Sequence, residues 1–177
     1  MLNVGTRLYD PADPKSFRNA VPFAALLVTA VGAELAAAWL AYYTIGEIVS
    51  GMLFIALGLN VVPIALYALR RPVTAVLAAL VLFAAIVPYQ AVLGHRLLAL
   101  NDEAGRVVAY LYETRFRTGE YPHDLTGYTF RDAGLQPYFQ EYRRDAESGG
   151  FRLNWYVGTP STSHSYTPRD GWGYYPD

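Results

Sequence analysis

Residues 73–94 read VTAVLAALVLFAAIVPYQAVLG, an apolar run without a charged side chain. About 20 such residues in a helix cross a hydrocarbon core of about 30 Å. Two comparable runs precede it, Ala20–Tyr43 and Ile48–Leu69, and the only charged residue within the three runs is Glu34. The sequence therefore predicts three transmembrane helices. Because the turns between them are very short, consecutive helices should be antiparallel.

The chain changes character after the third run. From Asn101 onward it is polar, charged and rich in Tyr, which is typical of a domain outside the membrane. We therefore expect a membrane α-helical protein with a small α+β extramembrane domain. Its expected parts are an N-terminal segment (residues 1–19), a three-helix bundle (20–94) and the extramembrane domain (95–177). The chain contains no Cys, so neither a disulfide nor a thiolate ligand contributes.

The positions of the basic residues predict which side of the membrane each turn occupies. Lys and Arg near helix ends favour the cytoplasmic side. Lys15 and Arg18 precede the first helix, Arg70-Arg71 separates the second from the third, and residues 44–47 carry no positive charge. This pattern predicts a cytoplasmic N-terminus and an outer C-terminal domain, with Arg96 as the opposing charge. Arg in place of Lys and abundant Ala suggest a GC-rich bacterial genome. With the topology above, this predicts a bacterial inner membrane with the domain on the periplasmic side.

Three polar side chains fall within the apolar runs. Glu34 lies past the middle of the first, Asn60 lies in the second and Gln90 in the third. A carboxylate at such a depth is costly and usually faces protein or water. We expect Glu34 to make a hydrogen bond to another helix or to a partner subunit, and a proton relay is the alternative. Small residues spaced four or seven apart should let the helices pack closely; they are Ala33, Ala37, Ala41, Gly51, Gly58, Ala75 and Ala79.

The extramembrane domain should begin with a continuation of the third helix. Apolar residues from Leu97 to Tyr112 follow a 3.6-residue period, and we expect the helix to run to about Arg117 and to end at Gly119. The opposite, polar face should carry Asp102, Glu103, Arg106 and Glu113.

Three short strands should follow that helix. Residues 151–157 alternate apolar and polar, which predicts a half-buried strand. Ser165–Thr167 and Gly173–Tyr175 flank the turn Pro168–Gly171 and are expected to pair as two further strands.

The loop after the long helix carries the pattern G-x-Y-P-x-x-L, formed by Gly119, Tyr121, Pro122 and Leu125. Together with the order of helix, loop and sheet, it resembles the head domain of type IV pilins and major pseudopilins, over about residues 101–177. The resemblance implies a long membrane-emergent helix packed on a small antiparallel sheet. The three preceding helices depart from that family, which has one N-terminal hydrophobic helix.

Motifs for catalysis, cofactors and metals are not evident. His123-Asp124 and Ser163-His164-Ser165 are predicted to be polar loop residues, because neighbours in sequence rarely form a triad. We expect no enzyme activity, no cofactor and no metal, and the absence of a basic stripe argues against nucleic acid. The aromatic tail residues Trp172, Tyr174 and Tyr175 suit a docking strip.

These features favour an accessory subunit of a larger membrane complex, of bioenergetic (photosynthetic or respiratory) or secretion type, whose partners are other membrane subunits and the lipid bilayer. The alternative is a pilin-like component of a secretion or pilus apparatus. A third hypothesis is a small transporter or membrane enzyme that uses Glu34.

The charge pattern generates a topology prediction. Reporter fusions placed after Arg71 and after Asp177 should report opposite sides of the membrane, with the fusion after Arg71 in the cytoplasm. Signals from the same side would contradict the predicted topology.

Overall fold

The computed structural model describes residues 14–46, 48–145, 149–160 and 163–175. Most of the expected N-terminal segment therefore lies outside the described residues. The chain forms two compact units. The first comprises the helical chain up to Leu40 together with Gly51–Ala91, and the second comprises Ala41–Ser50 together with the chain from Val92 onward.

All three apolar runs are helices. They are α1 (Pro14–Ile45), α2 (Ile48–Ala68) and α3 (Pro72–Thr118), and each is long and apolar enough to cross a membrane. Helix α1 begins earlier than the apolar run because Pro14 suits a first helical turn, where its missing N–H is not needed.

Small side chains mediate packing in the first unit. Ala30 and Val31 of α1 share a buried cluster with Ala75 and Ala79 of α3, as the small-residue pattern predicts for α3. Helix α2 behaves differently, because Gly51 and Gly58 have no described atoms near the place of a Cβ. These two glycines therefore make no packing contact within the described chain, and docking of this face on another membrane subunit stays a prediction. Helix α2 instead buries Ala56, Asn60 and Pro63, which share one face at a spacing of four and three residues.

Helix α3 continues into the second unit and ends as expected. Gly119 adopts φ +86°, the left-handed conformation that Gly tolerates best, and its N–H donates to Arg115 O at 2.8 Å. This αL cap stops the helix.

The second unit contains a four-stranded antiparallel sheet in the order β1-β2-β3-β4, which we call the head sheet. The strands are β1 (Phe139–Asp145), β2 (Gly150–Trp155), β3 (Ser163–Thr167) and β4 (Gly171–Tyr175). The pairing of β3 with β4 around Pro168–Asp170 confirms the predicted hairpin. Strand β1 and the short 3₁₀ helix before it (Ala133–Tyr138) were not predicted.

The predicted register of β2 is confirmed. Phe151, Leu153, Trp155 and Val157 are all buried, and Arg152 is exposed. The four buried side chains form one core with apolar side chains of α3 at helical spacing, namely Leu100, Ala104, Val107, Val108 and Leu111. The second half of α3 therefore packs on the sheet.

The expectation that Glu103 lies on the solvent-facing side of α3 is wrong. It is buried, because the loop between α3 and the sheet covers it. Its Oε1 accepts a hydrogen bond from Tyr128 OH at 2.9 Å and from the Arg131 N–H at 3.0 Å. Burial, together with the bond to Glu103, raises the pKa of Tyr128 to about 12, so this hydroxyl remains a donor at neutral pH.

The loop that carries G-x-Y-P-x-x-L ties α3 to β1. Tyr121 is buried and its hydroxyl accepts from Arg115 Nη1 at 2.9 Å. Tyr142 OH of β1 donates to Pro122 O at 2.7 Å. Leu125 packs at the edge of the core.

The Glu103 contact generates a stability prediction. Tyr128→Phe removes one hydrogen bond to a buried carboxylate and should lower the free energy of unfolding of the second unit by about 1.5–3 kcal/mol. Denaturant unfolding followed by near-UV circular dichroism measures this change. Tyr175→Phe, at an exposed position, is the control and should change it by less than about 0.5 kcal/mol. Equal effects of the two variants would contradict a specific role for the Tyr128 hydroxyl.

Candidate functional site

The last turn of α1 is where the head sheet and an apolar helix meet. A helix leaves its last four carbonyl groups without partners in the helix. In α1 these belong to Tyr42, Tyr43, Thr44 and Ile45. Gly46 follows with φ +96° and ends the helix.

Side chains of the second unit bond three of these four carbonyl oxygens. Tyr174 OH of β4 donates to Tyr42 O. His164 Nε2 of β3 lies 2.9 Å from Tyr43 O. Thr159 Oγ1, in the loop after β2, donates to Ile45 O at 3.2 Å. We call this group of three side chains the α1 cap.

Gly158 allows the backbone to reach the fourth carbonyl. A Cβ at this position would lie 2.6 Å from Thr44 O, a distance that real Cβ atoms do not tolerate. Only Gly can therefore bring the loop this close to the end of α1.

Aromatic rings pack around the α1 cap. The Tyr174 ring lies 5.4 Å from Tyr42 and 5.6 Å from Tyr43, between ring centroids. Such pairs add stabilisation beyond the area that they bury. Tyr42 and Tyr43 therefore contact the head sheet.

Arg96 ties α3 to the same loop. Its Nη1 donates to Val157 O at 2.9 Å, and its guanidinium lies over the Tyr138 ring at 4.6 Å. Arg96, the positive charge that opposes the predicted topology, therefore has a structural role within the domain.

The protonation state of His164 follows from its partner. A backbone carbonyl only accepts, so Nε2 must carry the hydrogen and Nδ1 is left as an acceptor. Burial lowers the pKa of His164, against a smaller opposing effect of the bond to Tyr43 O. The neutral ring is therefore the form that the fold favours.

A cleft of about 350 Å³ opens beside the α1 cap. Its lining consists of Asn101 of α3, Trp155 of β2, His164 of β3, and Trp172, Gly173 and Tyr174 of β4. The Trp155 ring stacks on His164 at 5.9 Å and meets Trp172 edge-on at 5.8 Å. We call this the aromatic cleft.

The predicted docking strip is divided by the fold. Trp172 and Tyr175 are exposed, at 57% and 67% of their surface, whereas Tyr174 is engaged by the α1 cap. His164 lies in β3 and bonds α1, so the expectation of a polar loop residue is wrong for it. His123 remains an exposed loop residue.

The polar residues predicted within the membrane are buried in the first unit. Glu34 is 0% exposed and Asn60 and Gln90 are nearly enclosed. The Asn60 side chain and the Phe83 backbone face the Glu34 carboxylate. Neither carboxylate oxygen has a hydrogen-bond partner in the described part of the chain, and Asn60 Oδ1 has none there either.

Sequence reasoning missed Thr159, Gly158 and Arg96 as site residues. Their partners are backbone carbonyl groups, which every residue carries, so the sequence shows no partner side chain for them. Gly158 is the one residue with a signal, because a Gly directly after a buried strand can mark a close backbone approach. Among the described residues, no group of three or more His, Asp or Glu is placed to hold a metal.

Comparison with known proteins gives no relative: no family model matches the chain, and neither a curated protein nor a solved structure matches it.

The His164 contact generates a pH prediction. In the unfolded chain His164 takes up a proton near its usual pKa of about 6.5, whereas burial lowers the folded value. Its contribution to stability should be complete above about pH 6.5 and should fall as the pH drops toward the folded pKa. His164→Gln, whose amide also donates but does not titrate, should flatten this part of the profile. The free energy of unfolding between pH 7.5 and pH 5 measures the effect, and identical profiles for both proteins would contradict it.

Glu34 generates a second prediction. A buried carboxyl group without a partner is destabilising, so Glu34→Leu should raise the free energy of unfolding of the isolated chain by about 1–3 kcal/mol. Thermal unfolding in lipid nanodiscs measures this change, with the isosteric Glu34→Gln as the matched variant. A loss of stability in the Leu variant would show that the bundle does bond the carboxyl group.

Proposed function

We propose that this chain is a non-catalytic accessory subunit of a larger membrane assembly, of bioenergetic or secretion type. In the proposed topology the N-terminus and the Arg70-Arg71 turn face the cytoplasm of a bacterial inner membrane. The head sheet then lies on the periplasmic side. The charge asymmetry of the turns supports this placement.

One observation carries the proposal: the head sheet bonds the last turn of α1 through the α1 cap and packs on α3. A domain tethered by a flexible linker would bond neither helix. Attachment to the ends of two apolar helices is what a subunit needs if its outer domain is to brace a neighbour.

Exposed aromatic side chains supply the proposed contact surface. Trp172 and Tyr175 lie on β4, and Phe116 near the end of α3 is 91% exposed. Large aromatic residues are enriched at protein interfaces, where they anchor most of the binding energy. The apolar residues exposed on α2 would face lipid or neighbouring helices; they include Met52, Phe54, Ile55, Val61, Val62 and Ile64.

Purification from native membranes tests the proposal. The tagged full-length chain, extracted in a mild detergent, should co-purify with other integral membrane proteins in a fixed stoichiometry. Tyr175→Ala should reduce that recovery several-fold, while Arg169→Ala, exposed on the same hairpin, should leave it unchanged. Recovery of the chain alone under every extraction condition would contradict an accessory role.

The pilin-like component is the alternative. The observation that favours it is the packing of the long helix α3 on an antiparallel sheet directly after the G-x-Y-P-x-x-L loop. This function requires the chain to assemble with further copies of itself or of similar heads. Cross-linking in whole cells would then give ladders of this chain, whereas an accessory subunit would give discrete products with other proteins.

The transporter or membrane-enzyme hypothesis depends on Glu34. This hypothesis is favoured by the buried Glu34 carboxylate, whose two oxygens have no hydrogen-bond partner among the described residues. In that case Glu34→Gln and Glu34→Leu should both abolish an activity of the native assembly while the complex stays intact, because neither Gln nor Leu can titrate.

A further inference from the structure

Strand β4 is an edge of the head sheet that lacks the usual protection. Among the described residues, β3 is the only strand paired with it. Edge strands can pair with another chain, and natural proteins usually prevent this with charged side chains, proline or bulges. Strand β1, at the opposite edge, is charged and bulged near Gln140. Strand β4, with the sequence GWGYY and a regular register, has none of these features.

The aromatic cleft lies on the core side of the β4 edge. Leu153, Tyr166 and Trp172 are cross-strand neighbours, so Trp172 points to the same face of the sheet as the buried Leu153. Tyr174, two residues further along β4, points to that face as well. Asn101 of α3 lines the cleft together with these β4 residues. The space between α3 and β4 is therefore open instead of filled by the core.

A strand added beside β4 would bring side chains to this cleft. Residues of such a strand that lie opposite Trp172 or Tyr174 would point to the same face as these two residues. The cleft of about 350 Å³ has room for one large side chain. Its lining contains no Asp, Glu, Lys or Arg, so a charged side chain would lose water without gaining a partner. The cleft therefore suits an apolar side chain.

We infer that the β4 edge and the aromatic cleft together bind an extended segment of a partner chain. The segment adds a strand to the head sheet and places a large apolar side chain in the cleft. In strand addition, main-chain hydrogen bonds give the affinity and pockets for alternate side chains give the specificity. The exposed rings of Trp172 and Tyr175 point to opposite faces of the sheet, so both faces of the added strand gain an aromatic contact. The inference rests on the accessory role proposed above and states how the partner is held.

A second copy of this chain fits the edge less well than a different chain. Strand β2 runs antiparallel to α3, because Phe151 lies 6.1 Å from Tyr112 between ring centroids and Arg96 bonds Val157 O. The strands therefore lie along α3. Antiparallel pairing of two β4 strands requires a two-fold axis perpendicular to the sheet, which would reverse the direction of α3 in one copy. Two copies with the same topology in one membrane cannot pair in this way.

Peptide binding to the full-length chain in lipid nanodiscs tests the inference. The probe is a capped, fluorescein-labelled heptapeptide in which Thr alternates with Val and Phe replaces the central Val, so that its apolar side chains share one face when it is extended. In the matched peptide, Asp replaces the central Phe. Fluorescence anisotropy measures binding, with empty nanodiscs as the blank. Hydrogen exchange followed by mass spectrometry measures the protection of the β4 amides.

The Phe peptide should bind saturably and slow the exchange of the β4 amides, and the Asp peptide should bind about ten-fold or more weakly. Asn101→Phe, at an exposed position of α3, places a ring in the cleft without altering β4 and should weaken binding to a similar extent. Asp102→Phe, the same substitution at the next exposed position, should leave binding unchanged. Circular dichroism checks that both variants fold.

Four results would overturn the inference. They are no saturable binding, binding without protection of β4, equal binding of the two peptides, and equal binding by Asn101→Phe. Protection of β4 without peptide, in nanodiscs that hold two copies, would identify a second copy as the occupant and would also overturn it.

Recovery of partners from native membranes separates this inference from the accessory role. Asn101→Phe should lower the recovery of co-purifying membrane proteins several-fold, and Asp102→Phe should not. If Asn101→Phe loses the peptide but recovers those proteins in full, strand addition is wrong and the accessory role stands. If the unmodified chain binds the peptide with protection of β4 but recovers no partner, the accessory role is wrong and the strand-binding site stands.

Discussion

The carbonyl groups at the end of α1, which cannot be bonded within the helix, are the constraint around which the second unit is organised. A helix end needs partners for its last four carbonyls, and here Tyr174, His164 and Thr159 provide three of them from β4, β3 and the loop after β2. Each side chain comes from a separate segment. The loop, the hairpin and the helix end must therefore be ordered together for the α1 cap to form.

This arrangement explains several residues that look incidental in the sequence. Gly158 is needed where the loop passes Thr44 O, and Arg96 holds the same loop through Val157 O. Tyr174 is not free for docking, because its ring packs on Tyr42 and Tyr43 and its hydroxyl donates to Tyr42 O. Trp172 and Tyr175, which lie on the same strand, remain exposed to solvent.

Patterns that involve side-chain burial could be predicted from the sequence. The alternation of residues 151–157, the helical period after Leu97 and the stop at Gly119 each reflect a local rule of packing or backbone conformation. Strand β1 could not be predicted, because it is charged, bulged near Gln140 and lies at the edge of the sheet. Edge strands often carry such charges, which hide the alternation.

The polar contacts were the other part that the sequence did not reveal. Glu103 has the helical position of a solvent-facing residue and is buried because a distant loop supplies Tyr128 OH and the Arg131 N–H. His164 likewise bonds a carbonyl 121 positions away along the chain. Since backbone donors and acceptors are the same at every residue, such partners leave no trace in residue types.

The central claim is that His164 bonds the end of α1 through its Nε2 hydrogen. Nuclear magnetic resonance of the full-length chain in nanodiscs, with ¹⁵N-labelled His and ¹³C-carbonyl-labelled Tyr, tests it most directly. The account predicts a slowly exchanging Nε2 hydrogen on one of the three His, with a scalar coupling across the hydrogen bond to the Tyr43 carbonyl carbon that disappears in His164→Gln. A His164 ring that is protonated at Nδ1 only, or whose Nε2 hydrogen exchanges as fast as those of His95 and His123, would contradict it.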